Sequence, residues 1–327
     1  MGVYPGFLYA PGASLPAVPG IDGVAVVQAL GEGGAAGTAP EGQPAHAEPQ
    51  AAGGVARDIS GNPLAVGDLV VSAYGFDIAN GNGSWQEVVD LPADRLSKVP
   101  SISPEISLPA ASSYFVNPVT VHGLLEASSV PEGRWLIVTS ALSGLSKMLL
   151  AVAQKRGIRT LAVVRRPEAI EEALRHGATA AACWSEDAPC DLAAKVKEAS
   201  GGELAHAAVD SVGGGLTAAV TDAVRDGGSV FVYGAQAGLL ASVSIPALLF
   251  RDVRVRGFWL TPWLESLPEG GRARVVDEVW AYYREGLMAS ADEDVKRYPL
   301  SRFAEAVAES QRAGRGGKVY LVNDEDA

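Results

Sequence analysis

Between residues 118 and 260, short apolar runs alternate with stretches of helical period. The strand candidates are 135–139, 160–164, 179–184, 206–212, 229–233 and 253–260, and helices are expected at 144–156, 167–176, 191–200 and 214–226. Strands and helices in alternation build a doubly wound parallel α/β sheet of the Rossmann kind. Upstream, short strands are expected at 23–30, 69–74, 85–91 and 95–99, with turn residues such as Gly67-Asp68 between them. That spacing suggests a small β-barrel-like region. Downstream, helices at 270–285 and 300–312 and a strand at 318–322 read as a return to it. The expected domains are therefore 1–117, 118–260 and the return 261–327. Residues 31–63, dominated by Gly, Ala, Pro, Glu and Gln, bury too little apolar surface to order themselves and are expected to form a mobile insertion.

One βαβ unit carries candidate chemistry. The strand 135–139 enters a turn of small residues, Ala141-Leu-Ser143-Gly144-Leu145-Ser146, from which a helix departs. The next strand ends in Arg165-Arg166. Such a unit lays a dinucleotide pyrophosphate on the helix N-terminus. About 20 residues past the turn, an acid usually binds the ribose 2′-OH, but this chain has Arg165. A guanidinium pairs with a 2′-phosphate where a carboxylate repels it, so NADPH is the expected cofactor. The turn itself is weak support. Each fingerprint glycine is replaced by Ala or Ser, and an ordinary βα turn beside two solvated arginines is the alternative.

Composition narrows the classes. With 327 residues, 48% apolar and 20% charged, the chain is long enough for two domains. Its net charge of −12 comes with no basic stripe of the kind a nucleic-acid binder needs. The apolar stretch 239–250 is broken by Ser242, Ser244 and Pro246 and is too short to span a membrane. Neither a secretory h-region nor an Arg-rich transit segment stands at the N-terminus. The two cysteines, Cys183 and Cys190, and four scattered histidines make no zinc ligand set, so no metal is expected. Each histidine reads as a surface or capping residue.

Several segments, in order along nearly the whole chain, carry a resemblance. They are GVYP from Gly2, LPAVPGIDG from Leu15, GSW ending at Trp85, VNPVT from Val116, VVRRP from Val163, VDSVGG from Val209, Tyr233-Gly234 and RGFWL from Arg256. On these the chain resembles the zinc-independent medium-chain dehydrogenase/reductases, most of all the 2-enoyl thioester reductases of mitochondrial fatty-acid synthesis. The resemblance implies a partial GroES-like barrel as the catalytic domain beside the Rossmann domain. It departs from the family in three ways. Residues that usually precede the GVYP segment are missing, Ser146 stands where the family has Gly, and 31–63 is longer than expected. The Gly-His-Glu pattern of the zinc-dependent branch is replaced by Gly20-Ile-Asp-Gly23.

The implied chemistry is reduction of the C2=C3 bond of a trans-2-enoyl-CoA or enoyl-ACP by NADPH. Tyr4 is then the proton donor, a general acid near pKa 10. Trp85 walls the acyl pocket or belongs to the barrel core. Asn117 and Thr120 orient the substrate or cap a helix. Phe258 and Trp259 line the substrate pocket. Ser143, Gly144, Leu145, Ser146, Arg165, Arg166, Tyr233, Gly234, Phe258 and Leu260 surround the cofactor together with Asn117; 258–260 reads alternatively as sheet-edge packing or a dimer seam. Lys318 resembles a late lysine on the NADPH phosphate; its alternative is a solvated strand-start lysine. A homodimer, an acyl carrier protein as partner, and a mitochondrial location in a eukaryote (cytoplasmic otherwise) complete the expectation. An NADPH:quinone oxidoreductase, or a truncated protein that binds NADPH without catalysis, are the competing readings.

Overall fold

In chain order the strands are β1 (Val24–Val26), β2 (Leu69–Ser72), β3 (Leu96–Lys98), β4 (Trp135–Val138), β5 (Arg159–Val164), β6 (Ala180–Cys183), β7 (Ala205–Asp210), β8 (Val224–Val232), β9 (Arg254–Gly257), β10 (Lys296–Pro299) and β11 (Val319–Val322). The helices are α1 (Leu108–Ser112), α2 (Val116–Ser128), α3 (Gly144–Lys155), α4 (Ile170–Arg175), α5 (Leu192–Ser200), α6 (Leu216–Asp222), α7 (Ile245–Arg251), α8 (Leu260–Glu265), α9 (Gly271–Arg284) and α10 (Phe303–Gln311). They come from a computed structural model that describes residues 17–31, 55–76, 82–288, 295–312 and 317–326. The chain divides into two units, Asn117–Leu267 and Met1–Val116 with Pro268–Ala327.

The first of these units is built on one parallel sheet of six strands, in the order β6-β5-β4-β7-β8-β9. All four residues of β4 are buried, as are five of the six in β5, so the sheet is covered on both faces. Trp135, Ile137, Leu161 and Val163 pack there with Leu192 and Val196 of α5 and Leu216 and Val220 of α6. The α/β Rossmann sheet is thus as the apolar pattern predicts. Its edges differ from expectation. Helix α6 stops at Asp222, and β8 begins at Val224 inside the span expected to be helical. Strand β9 is four residues long and gives way to α8, so 258–260 is not strand. Residues 261–267, expected with the return segment, stay with this unit because Trp263 packs on Phe258, ring centroids 6.0 Å apart. Helix α2 escaped the reading because it is buried nearly all round and shows no amphipathic period.

The other unit holds the antiparallel sheet β1-β2-β3 and the parallel pair β10-β11. Tyr114 stacks on Trp280 of α9 at 4.4 Å, and its hydroxyl donates to the Val276 carbonyl. Two expectations fail here. Residues 85–91 form no strand: the backbone N–H groups of Gly83, Ser84 and Trp85 donate to the carbonyls of Val18, Gly20 and Pro19, and the segment follows the 18–20 loop instead of a ladder. Residues 55–63 of the supposed insertion have a defined course, with Arg57 and Pro63 bridged. Their organiser is Asp58, 4% exposed, which accepts from the N–H groups of Ser60, Asn62 and Lys98 and from the Asn62 side chain. Residues 32–54 lie outside the described residues. So does Tyr4. No helix among the described residues is long and apolar enough to cross a membrane.

A buried carboxylate with four donors cannot lose its side chain without leaving those donors unsatisfied. Asp58→Ala is therefore expected to destabilise the unit containing β1–β3 by about 2–4 kcal/mol. A thermal-unfolding midpoint unchanged from that of the wild type would contradict this.

Candidate cofactor site

From β4 the chain runs outward to β5 and β6, then returns to β7 on the other side of β4. The junction of β4 and β7 is the switch point, outside whose strand C-termini open α/β sheets bind ligands. The two strand ends are tied by a buried polar network. Thr139 Oγ1 donates to Asp210 Oδ1 at 2.9 Å and accepts from the Ser211 N–H at 3.0 Å. The Thr217 hydroxyl donates to Asp210 Oδ2 at 2.7 Å, and the Val212 N–H to Oδ1 at 2.9 Å. Thr139, Asp210 and Thr217 are 0% exposed.

The turn follows directly. Ser140 has φ 46°, an unusual conformation for a residue with a side chain. Ser143 caps α3 by accepting from the Ser146 N–H. Its hydroxyl donates to Ser146 Oγ at 3.0 Å, Ser146 Oγ donates to the Thr139 carbonyl at 3.3 Å, and the Tyr233 hydroxyl lies 3.4 Å from Ser146 Oγ. A serine is thus accommodated at the third small position because its hydroxyl is fully partnered. Gly144 is exposed, with open space where a Cβ would stand, and Leu145 follows it in the first turn of α3. An anion can approach this helix end.

Other residues named from the sequence stand at or just past strand ends of the same sheet. Arg165 and Arg166 are exposed just past β5, the strand beside β4, and Arg166 Nε pairs with Glu168 at 3.2 Å. Tyr233 follows β8 directly and donates its N–H to the Asp210 carbonyl; burial raises its phenol pKa. At Gly234 a Cβ would come within 2.7 Å of the Ser211 carbonyl oxygen, so this residue is needed for the close approach of two strand ends. Phe258 lies against Gly123 of α2, where a Cβ would meet its ring at 2.7 Å; Trp259 is 52% exposed, and Leu260 opens α8. Ser143, Ser146, Tyr233 and Gly234 are therefore brought together with the unpredicted Thr139, Asp210 and Ser211. The described small and polar groups fit a dinucleotide.

Asn117 and Thr120 sit in the first turn of α2. The capping task that was one reading of them falls to Asp22, which accepts from the N–H groups of Phe115 and Val116. Lys318, half-buried, is in the field of Asp22 rather than solvated at a strand start. Trp85 belongs to the loop held against 18–20, where its ring excludes any side chain at Gly20. Among the histidines, His122 is not a surface residue: it is 4% exposed, with Arg156 beside it at 3.4 Å. Among the described residues, no cluster of three or more His, Cys, Asp or Glu is placed to hold a metal.

A model described as zinc-binding dehydrogenase matches residues 144–271. Escherichia coli quinone oxidoreductase, solved with NADPH, superposes with a TM-score of 0.70 over 97% of this chain and 85% of that one, at 21% identity. The fold is that of the medium-chain dehydrogenase/reductases. Curated relatives in sequence include the mitochondrial enoyl-[acyl-carrier-protein] reductases of Yarrowia lipolytica, 25% identical over 252 residues, and of Homo sapiens, 28% identical over 254. These matches cover 73% and 76% of this chain but only 65% and 58% of the relatives' lengths.

Burial holds the Asp22 carboxyl at about 6, against an ordinary 3.8, although the Val116 N–H, Lys318 and the Phe115 N–H pull the other way. The folded chain binds this proton more tightly, so its contribution to stability falls as pH rises from 3.8 to about 6, by about 3 kcal/mol. His122 opposes it. Burial first, and Arg156 next, lower its pKa from 6.5 to about 4, so its contribution grows with pH between those values. Urea unfolding of Asp22→Asn is expected to show stability rising with pH through this window more steeply than in the wild type. Parallel curves would refute the assignment.

Proposed function

We propose that this medium-chain reductase is an NADPH-dependent oxidoreductase acting on the C2=C3 bond of trans-2-enoyl thioesters, enoyl-CoA or enoyl-ACP. The observation that carries the cofactor choice is Arg165, a guanidinium exposed at the end of β5 where the second strand of a dinucleotide unit discriminates the ribose. The two enoyl reductase relatives support the substrate class. NADPH supplies a hydride to Cβ when bound. The chain's task is then to hold the dinucleotide on the α3 N-terminus and to deliver a proton to Cα. Tyr4 is the proposed donor, with Trp85 against the acyl chain. A donor aimed at the thioester oxygen lowers the barrier by stabilising the enolate.

Quinone reduction is the second reading, favoured by the extent of the fold match to the Escherichia coli enzyme. It requires no proton-donating tyrosine. The further parts of the proposal are an acyl carrier protein as partner, a mitochondrial location in a eukaryote, and a homodimer. The dimer is supported by β9, the outer strand of the sheet, and by exposed Ile245, Leu249 and Phe250 on neighbouring α7.

Arg165→Ala is expected to weaken NADPH binding by about tenfold or more and to leave NADH almost unaffected; Arg166→Ala, whose partner is Glu168, does less. Equal weakening of both cofactors would refute the 2′-phosphate assignment. NADPH oxidation followed in parallel with crotonyl-CoA, a longer enoyl-CoA and a quinone separates the two substrate readings. Enoyl turnover that falls by about 100-fold in Tyr4→Phe supports the first. Turnover of the quinone alone, indifferent to Tyr4→Phe, selects the second.

A further inference from the structure

The unit that holds the antiparallel sheet brings two arginines onto one aromatic ring. Tyr74 follows β2, and a tight turn fixes its place: buried Ser72 donates its hydroxyl to the Gly75 carbonyl and accepts from the Tyr74 N–H. Two residues on, the Phe76 N–H donates to the Ile21 carbonyl, beside the 18–20 loop that holds Trp85. Arg95, in the turn before β3, places its guanidinium carbon 5.5 Å from the Tyr74 ring centroid, and Arg272, in the first turn of α9, places its own at 4.2 Å. The two backbones are anchored independently. The Arg95 carbonyl accepts from the Ala73 N–H, and α9 is tied to β3 by the Trp280 indole N–H, which donates to Ser97 Oγ.

A cation over an aromatic face is attracted by the ring, but two cations over one ring also repel each other. Other cations of this unit meet carboxylates: Lys98 pairs with Asp68, Arg302 with Glu305, and Lys296 and Arg312 with Glu309. The Arg95 guanidinium is half-buried and, among the described residues, makes no hydrogen bond or ion pair besides its ring contact. In a chain of net charge −12, such a pair of guanidiniums is a local point of attraction for an anion. The chemistry of the pair is one-sided. Arginine has donors and no acceptor, and its planar fork matches phosphate oxygens.

In an enoyl thioester the acyl chain and the thioester carry no charge, and the anionic groups belong to the carrier. Coenzyme A and the prosthetic arm of an acyl carrier protein share a 4′-phosphate at the end of pantetheine. Resting on the enoyl-thioester reading above, we propose that Arg95 and Arg272, seated on Tyr74, clamp this phosphate and so select thioesters whose pantetheine arm is phosphorylated. The Tyr74 ring keeps both guanidiniums oriented. The clamp acts on binding and not on the hydride or proton step, so it lowers KM and leaves kcat alone.

NADPH oxidation by the full chain, at saturating NADPH, tests this with the crotonyl thioesters of CoA, of 4′-phosphopantetheine and of pantetheine. The wild type is expected to show a kcat/KM about tenfold or more higher for the two phosphorylated esters than for the pantetheine ester, through KM, and this preference is expected to shrink as KCl is added. Arg95→Ala and Arg272→Ala are each expected to weaken the preference, and the double variant to bring the esters to a similar kcat/KM. Should Arg95→Ala fail to fold, Arg95→Gln keeps part of the side-chain packing and is read the same way. A wild-type preference for the CoA ester that 4′-phosphopantetheine does not share overturns the 4′-phosphate assignment. No preference in the wild type, or one that survives both substitutions, overturns the clamp while the enoyl reading stands. Absence of turnover of every thioester by the wild type overturns the enoyl reading and the clamp with it.

Discussion

The sheet unit depends on a single buried carboxylate. Asp210 sits at the end of β7 with no exposure and accepts hydrogen bonds from two threonine hydroxyls and from the backbone beyond its own strand. An isolated carboxylate in such a place would be strongly destabilising. With its acceptor sites occupied, it instead locks the relative height of β4 and β7, the two strands whose ends diverge at the switch point. Everything the site offers is referred to that height. Thr139 hands the chain from β4 to the strained Ser140, Ser211 leaves β7 in a fixed direction, and the Tyr233 N–H rests on the Asp210 carbonyl.

The unit that holds the antiparallel sheet applies the same device where its strands are short. Strands β1 and β3 have three residues each, too few for their ladders to hold long connections in place. Two carboxylates take over. Asp58 gathers the 58–62 turn and ties it to β3 through the Lys98 N–H, and Asp22 holds the backbone at Phe115 and Val116, where α2 begins. In both, a side chain substitutes for backbone pairing. That explains why loops with few apolar residues are nevertheless ordered.

This division marks what could be read from the sequence. The six parallel strands were legible because each is a short apolar run between turn residues, and β4 and β5 are buried on both faces. Ser143, Ser146, Tyr233 and Gly234 were legible through position relative to those strands. What escaped depends on contacts between residues far apart in the chain. Residues 55–63 read as disordered because composition does not reveal that Asp58 will find Lys98, 40 residues away. Helix α2 has no polar face to announce it. Residues 85–91 have strand-like apolar content, but the N–H of Trp85, the first of them, is already committed to the Pro19 carbonyl. Asp210 itself looked like any acid at a strand end, and only the threonines brought to it by the fold give it a role.

The serine-rich turn shows how the same physics replaces a glycine fingerprint. Glycines serve such a turn by allowing positive φ and close approach. Here the positive φ falls on Ser140, outside the three fingerprint positions, and the close approach is made elsewhere, at Gly234 against Ser211. At the third position the chain places Ser146 and absorbs its hydroxyl among Ser143, Thr139 and Tyr233. The additional atom thus becomes a joint between the turn and the end of β8. A glycine in its place would free the Tyr233 hydroxyl from this contact and remove one of the side-chain links between the turn and the segment after β8, leaving the exposed Ser140–Gln236 bond. The departure from the glycine pattern is therefore compensated within the turn's own hydrogen bonding, and the small-residue spacing, more than glycine itself, is what carries the signature in this chain.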